Sequence, residues 1–148
     1  MFKKILLPLD GSTMSEQALT IAVDHAKLFN AKLVLFRVIT PLSKSFRTGM
    51  ATVSAIEKAE EQLRRMALDY LEKIATSLRE DNLQVSVVTQ IGVPYKEIIA
   101  YSEKNSIDLI VMCTRGESGF TRWLLGSNTD HVIRGTSVPV LAVPAIEQ

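Results

Sequence analysis

The sequence predicts an α/β fold in which an open, five-stranded parallel sheet carries helices on both faces. Short apolar runs alternate along the chain with longer segments of helical period, which is the order expected of βαβ units. Several of these runs are apolar at consecutive positions, as in strands that are buried on both faces. A length of 148 residues and a hydrophobic content of 47% suit one core. We therefore expect a single domain over residues 1–148.

The chain begins with a strand, a helix and a second strand. Residues 4–9 predict a short buried strand. Ser12 follows as the N-cap of a helix that ends near Asn30. Residues 32–38 predict a second strand, which we place at the centre of the sheet because its apolar run does not alternate.

A loop, a long helix and a third strand come next. Residues 40–49 include Pro41 and several Ser and Thr residues, and predict a loop that either folds over a site or only connects two elements. Over residues 51–79, apolar residues recur every three or four positions, which predicts a long helix with a solvated, charged face. Residues 84–90 alternate in polarity and predict a strand nearer one end of the sheet.

The last part of the chain predicts two more helix–strand units. After a Gly-Val-Pro turn, residues 95–104 predict a short helix, and the near-continuous apolar run 107–113 predicts a central strand. A glycine-containing loop then precedes a helix over residues 128–135. Residues 138–143 predict the fifth strand.

Charge and cysteine content exclude several classes of partner. Lys and Arg number 17 and Asp and Glu 16, so a net charge of +1 gives no global field that favours nucleic acid or an acidic membrane. The single cysteine, Cys113, excludes an intramolecular disulfide and favours a reducing compartment. The opening apolar run is too short for a signal peptide, and no uncharged stretch approaches the ~20 residues of a membrane span. We therefore expect a cytoplasmic protein with no nucleic-acid or membrane partner.

A ligand is expected beyond the carboxyl ends of the strands, where the strand order reverses. The first and fourth strands end near Asp10 and Cys113, and both open on one crevice if those strands are neighbours. The loop after the fourth strand leads from Gly126 directly into a helix. Backbone N–H groups there bind oxyanions, so this segment predicts a phosphate cradle with the Ser127 and Thr129 hydroxyls as extra donors. The alternative is that Ser127 or Asn128 is an ordinary N-cap.

Sequence motifs of several other kinds of functional site are missing. There is no Gly-x-Gly-x-x-Gly after the first strand and no P-loop sequence. Asp10 alone does not make a receiver domain, because the third strand offers no second acidic residue. His25 and His131 lack a second ligand at metal spacing and are read as surface or packing histidines. We assign no catalytic residue.

The opening KKILLPLDGS, the glycines of residues 116–127 and the closing VPVLAV form a recognisable set. They resemble the universal stress protein family, and the resemblance covers essentially the whole chain. The opening KKILLPLDGS at residues 3–12 is similar to that family's first strand and turn. Nucleotide-binding members carry Gly, two residues, Gly, nine residues and then Gly-Ser or Gly-Thr. Here Gly116 is followed after nine residues by Gly126 and Ser127, and the closing VPVLAV also matches. Cys113 replaces the first glycine, where its side chain either crowds a nucleotide or is a small buried hydrophobe.

The resemblance implies a Rossmann-like, adenine nucleotide alpha hydrolase-like fold with strand order 3-2-1-4-5. It also implies an adenine nucleotide, ATP with Mg²⁺, across the crevice. Asp10 would lie near the ribose or the metal ion, and Arg115 would reach the phosphates from the loop that Cys113 begins. The adenine would be bordered by Pro8, Leu9 and Val38, with Met112 beneath it. The phosphates would face Gly116, Gly126, Ser127, Asn128 and Thr129.

We therefore expect a stress-response binding module or switch that holds ATP and hydrolyses it slowly at most. The alternative is a nucleotide-free, homodimeric interaction protein of the same fold. An ATP-dependent enzyme of the wider fold group is disfavoured, because the pyrophosphatase loop Ser-Gly-Gly-x-Asp-Ser is not found at residues 10–15. The apolar strand from Val138 to Val143 would lie at a sheet edge. In the family the corresponding strand pairs two subunits, which implies a homodimer.

Overall fold

A computed structural model describes residues 1–42, 52–115 and 125–146. Within these ranges strands and helices alternate along the chain. They are β1 (Lys4–Pro8), α1 (Thr13–Phe29), β2 (Lys32–Ile39), α2 (Val53–Glu80), β3 (Val85–Ile91), α3 (Pro94–Lys104), β4 (Leu109–Cys113), α4 (Ser127–Gly135) and β5 (Val140–Val143). Most of the loop predicted over residues 40–49 lies outside the described residues, as does Gly116.

The five described strands form one parallel sheet in the order β3-β2-β1-β4-β5. The predicted α/β fold and its strand order 3-2-1-4-5 are therefore confirmed. β1 pairs on one side with β2, where Ile5 lies opposite Leu33, and on the other side with β4, where Ile5 lies opposite Leu109. The strand order thus reverses between β1 and β4, and the carboxyl ends of both strands open on one crevice.

Two strands, β4 and β5, begin two residues later than the sequence predicts. β4 begins at Leu109, because the preceding Asp108 carboxylate accepts hydrogen bonds from the backbone N–H groups of Lys3 and Lys4, at 2.8 and 2.9 Å, where regular strand pairing would otherwise extend. β5 begins at Val140 rather than Val138, because Pro139 has no N–H to donate to a ladder.

The central strands are covered on both faces. Leu33 and Leu35 of β2 pack in the cluster that includes α1, whereas Val34 and Phe36 pack with Ile98 of α3 in a second cluster. All four β2 side chains are at most 1% exposed. This two-sided burial explains why the sequence of β2 does not alternate in polarity.

α1 packs against the sheet through a face of small side chains. Ala18, Ala22 and Ala26 are each at most 1% exposed and recur every four residues, so they lie on one side of the helix. Methyl groups at these positions let the helix backbone approach the sheet closely, and they leave little room for a larger side chain.

The longest helix is mostly solvated. α2 runs for 28 residues and buries only Ile56, Ala67, Leu71 and Ala75. Its charged side includes an exposed ion pair between Glu61 and Arg65 at 3.5 Å. Among the described residues, no helix combines the length and the apolar character needed to cross a membrane.

The close approach of α1 predicts that Ala22→Leu destabilises the protein. Overpacking of this buried position should lower the free energy of unfolding by about 1–3 kcal/mol, measured by urea denaturation. Ala100→Leu is the matched control, because Ala100 is exposed on α3 and the same change there should alter stability by less than about 0.5 kcal/mol. Equal losses in the two variants would contradict this packing.

Candidate functional site

A pocket of about 570 Å³ opens at the carboxyl ends of β1, β2 and β4. Small-molecule sites commonly have volumes of ~300–1,000 Å³. Most residues that the sequence predicted for the site line this pocket. They are Pro8, Leu9, Asp10, Val38, Met112, Cys113, Arg115, Gly126, Ser127, Asn128 and Thr129. The remaining one, Gly116, lies outside the described residues.

One wall of the pocket is apolar. Phe36 of β2, Met112 of β4 and Ile98 of α3 line it and belong to one buried cluster, with Val38 packed against that cluster. Pro94, the first residue of α3, also lines the pocket. A surface of this kind suits a flat, apolar or aromatic group.

The N-terminus of α4 forms a polar wall. Its N-cap is Gly126, which has no side chain to cap the helix. The first helical hydrogen bond runs from the Asp130 N–H to the Gly126 carbonyl at 3.0 Å, so the N–H groups of residues 127–129 have no acceptor within the helix. The expectation that Ser127 or Asn128 serves as an ordinary N-cap is wrong, because both lie inside the helix.

The Thr129 side chain has a different role from the one predicted. Its hydroxyl donates to the Cys113 carbonyl at 2.8 Å, and the residue is only 3% exposed. The Gly126 N–H donates to the Thr114 carbonyl at 2.6 Å. These two bonds tie the start of α4 to the end of β4. The expectation that the Thr129 hydroxyl donates to a phosphate is therefore corrected.

Asp10 is held in a tight turn at the mouth of the pocket. Its Oδ1 accepts from the Ser12 N–H at 2.9 Å and from the Ser12 hydroxyl at 2.5 Å. Ser12 is the N-cap of α1, as predicted, and its Oγ accepts from the Ser15 N–H at 3.1 Å. Gly11 between them has φ +88°, a left-handed conformation that side-chain-bearing residues rarely adopt. The exposed carboxylate thus has a fixed position beside the pocket.

Arg115, which the sequence analysis expects to reach the phosphates from the loop, is buried. It is 4% exposed, and its Nη2 donates to the Ala145 carbonyl at 3.1 Å. Arg115 is one of the residues that line the pocket, and one side of its guanidinium is held by the segment that follows β5.

Cys113 is a buried hydrophobe at the end of β4. It is 5% exposed and packs in the cluster that contains Ala18 and Ala22 of α1. Burial raises the pKa of its thiol, and the charge of Asp10 acts in the same direction. The thiol is therefore protonated at neutral pH.

Sequence reasoning missed Arg37, which also lines the pocket. Its guanidinium lies over the ring of Tyr70, 5.1 Å from the ring centroid. It also lies so close to Gly11 that the Cβ of any side chain at position 11 would be 3.0 Å from its Nη1. The Tyr70 hydroxyl donates to Glu16 at 2.5 Å, and burial together with this bond raises the pKa of Tyr70. The one signal in the sequence was a charged residue inside an otherwise apolar strand.

The fold and the pocket together define a class of α/β protein that holds a ligand at the switch point of an open parallel sheet. The model of the universal stress protein family matches residues 1–144. The chain belongs to the universal stress protein family.

Relatives and solved structures are similar over nearly the whole chain. Universal stress protein MJ0531 of Methanocaldococcus jannaschii is 34% identical over 143 residues, which cover 97% of this chain and 82% of that protein. The solved structure of MJ0577, from the same organism, has a TM-score of 0.79 at 28% identity and covers 100% of this chain and 99% of that one. A universal stress protein solved in complex with cAMP has a TM-score of 0.66 at 22% identity, covering 96% of each chain, and so shares the fold.

The burial of Cys113 predicts slow alkylation and a defined pH dependence. We expect iodoacetamide at pH 8 to modify the folded protein at least about tenfold more slowly than the urea-unfolded chain, measured by mass spectrometry. Because the folded state keeps the thiol proton, stability should fall as pH rises above 9.0, the ordinary pKa. Cys113→Ala should lose that part of the alkaline fall. Equal alkylation rates in the two states would refute the assignment.

Proposed function

We propose that the pocket binds an adenine nucleotide, ATP as its Mg²⁺ complex, and that the protein acts in the cytoplasm as a stress-response binding module or switch. One observation carries this proposal. The N-cap of α4 is a glycine, which has no side chain to bond the first N–H groups of the helix, and this helix N-terminus borders a pocket whose other wall is apolar. A purine base needs an apolar slot and a phosphate chain needs backbone donors, and this pocket offers both.

The proposed contacts follow the two walls. The base would lie against Met112 and Val38, which belong to the apolar wall. The phosphates would accept hydrogen bonds from the N–H groups of Ser127, Asn128 and Thr129, where the positive end of the α4 dipole adds attraction. Family membership and the cAMP complex of a universal stress protein with this fold support an adenine nucleotide as the ligand.

The donor set at the mouth of the pocket fits a metal ion carried by the nucleotide. Mg²⁺ in nucleotide sites is commonly bound by one or two carboxylates together with phosphate oxygens and waters. Asp10 supplies one exposed carboxylate, and no group of three or more His, Cys, Asp and Glu side chains suited to a metal occurs within residues 1–42, 52–115 and 125–146. Asp10 would therefore hold Mg²⁺ only together with ATP. The bound ion would supply charge neutralisation for the phosphates.

We also propose that two copies of the chain pair through β5. The carbonyls of Pro139 and Val143 accept hydrogen bonds from the N–H groups of Ile110 and Thr114, which leaves the backbone groups of Val140 and Ala142 directed away from the sheet. Outward N–H and C=O groups on an apolar edge strand are a template for pairing with another strand. The family resemblance supports a second copy as the partner.

Nucleotide binding is tested by denaturing the purified protein, identifying released nucleotide by mass spectrometry, and titrating MgATP. We expect Gly126→Val to weaken binding at least about tenfold, because a branched side chain would stand before the N–H groups of α4. Gly126 has φ −58° and ψ 149°, which valine also adopts, so the fold should survive with a loss of about 1 kcal/mol at the cap.

Ser137→Val is the matched control, since it adds the same side chain at an exposed position beyond the other end of α4. It should leave the affinity for ATP unchanged. No released nucleotide and no binding up to millimolar ATP would overturn the nucleotide proposal and favour the nucleotide-free alternative.

The dimer is tested by light scattering during size-exclusion chromatography. The natural chain should be a dimer at micromolar concentration, and Ala142→Pro should be a monomer because it removes an outward N–H without breaking a bond to β4. Ala142→Val keeps that N–H and should remain a dimer. A monomeric natural chain would refute pairing through β5.

A further inference from the structure

The segment that follows β5 is held by side chains from two other parts of the fold. The Ala145 N–H donates to Thr114 Oγ1 at 3.2 Å, and the Ala145 carbonyl accepts from Arg115 Nη2 at 3.1 Å. The backbone of Ile146 exchanges two hydrogen bonds of 2.8 Å with the side-chain amide of Gln17 on α1. We call this pair of bonds the Gln17 clamp. Three side chains thus satisfy backbone groups that a neighbouring strand would satisfy within a sheet.

The residues that hold Ala145 also shape the pocket. The Thr114 carbonyl accepts from the N–H of Gly126, the residue at which α4 begins. Arg115 itself lines the pocket. We call residues 145 and 146 the tail. The side chains of Thr114 and Arg115 hold the tail at Ala145, and the Thr114 carbonyl positions the start of α4, which is the polar wall that the phosphates would contact.

Displacement of the tail would change the environment of Arg115 and, through it, the pocket. Arg115 is 4% exposed and Ala145 is 7% exposed, so their hydrogen bond is shielded from water. A buried guanidinium that loses a carbonyl acceptor is penalised by its desolvation, and this penalty favours a different position of the side chain. Since Arg115 is part of the pocket wall, that movement would change the surface presented to a ligand.

We propose that Arg115 is a positioning residue that couples the tail of the chain to the ligand pocket. Nucleotide affinity then depends on the Gln17 clamp, although neither Gln17 nor Ile146 lines the pocket. Because coupling between two sites is reciprocal, a bound nucleotide also holds the tail more firmly in place. This inference rests on the proposed nucleotide function.

The first test measures MgATP affinity by calorimetry. Gln17→Ala removes both bonds of the clamp from outside the pocket, and we expect it to weaken ATP binding about fivefold. Gln62→Ala is the matched control, because Gln62 is an exposed helical glutamine on α2 and its loss should leave the affinity unchanged. In an Arg115→Lys background, Gln17→Ala should have little further effect, since the connecting side chain is already altered.

The second test measures backbone amide exchange by NMR. Saturating MgATP should slow exchange of the Ala145 and Ile146 amide hydrogens about fivefold in the natural protein, and by less in Arg115→Lys. A residue with only a structural role would not transmit occupancy of the pocket to these two amides.

The outcomes separate the two proposals. If the natural protein binds ATP but Gln17→Ala leaves the affinity unchanged, or MgATP leaves the exchange of the Ala145 and Ile146 amides unchanged in the natural protein, the coupling is refuted and nucleotide binding stands. Strict additivity of Gln17→Ala and Arg115→Lys would also refute a route through Arg115. If the natural protein binds no ATP, the proposed function fails and this inference fails with it.

Discussion

Burial of the central strands on both faces is the constraint on which the rest of the structure depends. Leu6 of β1, Phe36 of β2 and Ile110 of β4 are all fully buried, so the middle of the sheet has no place for a polar binding group. Polar chemistry is confined to the strand ends and to the turns and helix starts beyond them. The pocket lies there because the connections that follow β1 and β4 lead towards opposite edges of the sheet.

The sequence predicted those features that depend on neighbouring residues. Apolar runs revealed the strands, helical spacing revealed α1 and α2, and Ser12 was placed correctly at the start of α1 because an N-cap acts within three residues. The position of the pocket also followed, since it requires only the order of elements and the rule that ligands lie at the carboxyl edge. Family resemblance added the chemical nature of the expected ligand, which the spacing of glycines alone does not specify.

Side-chain roles that depend on distant partners were not predictable. Arg115 lies beside a glycine-containing loop, yet its carbonyl partner is 30 residues away. Thr129 looked like a phosphate donor because the sequence does not show that the Cys113 carbonyl lies within hydrogen-bonding distance. Arg37 contacts a ring on α2, and only the three-dimensional packing of that helix brings the two together. In each case a tertiary contact, which the local sequence does not show, determined the role of the side chain.

The alanine face of α1 also restricts the position of this helix along its axis. A slide of one turn, about 5.4 Å, would bring Met14 or Asn30 to a place that now holds a methyl group. The ends of the helix prevent such a slide: Ser12 is bonded to Asp10 at one end, and Asn30 closes the other with φ 51°. The turn that brings Asp10 to the pocket is therefore also the stop that sets the register of α1. A ligand or ion bound at Asp10 would therefore contact a residue that is hydrogen-bonded directly to the N-cap of α1.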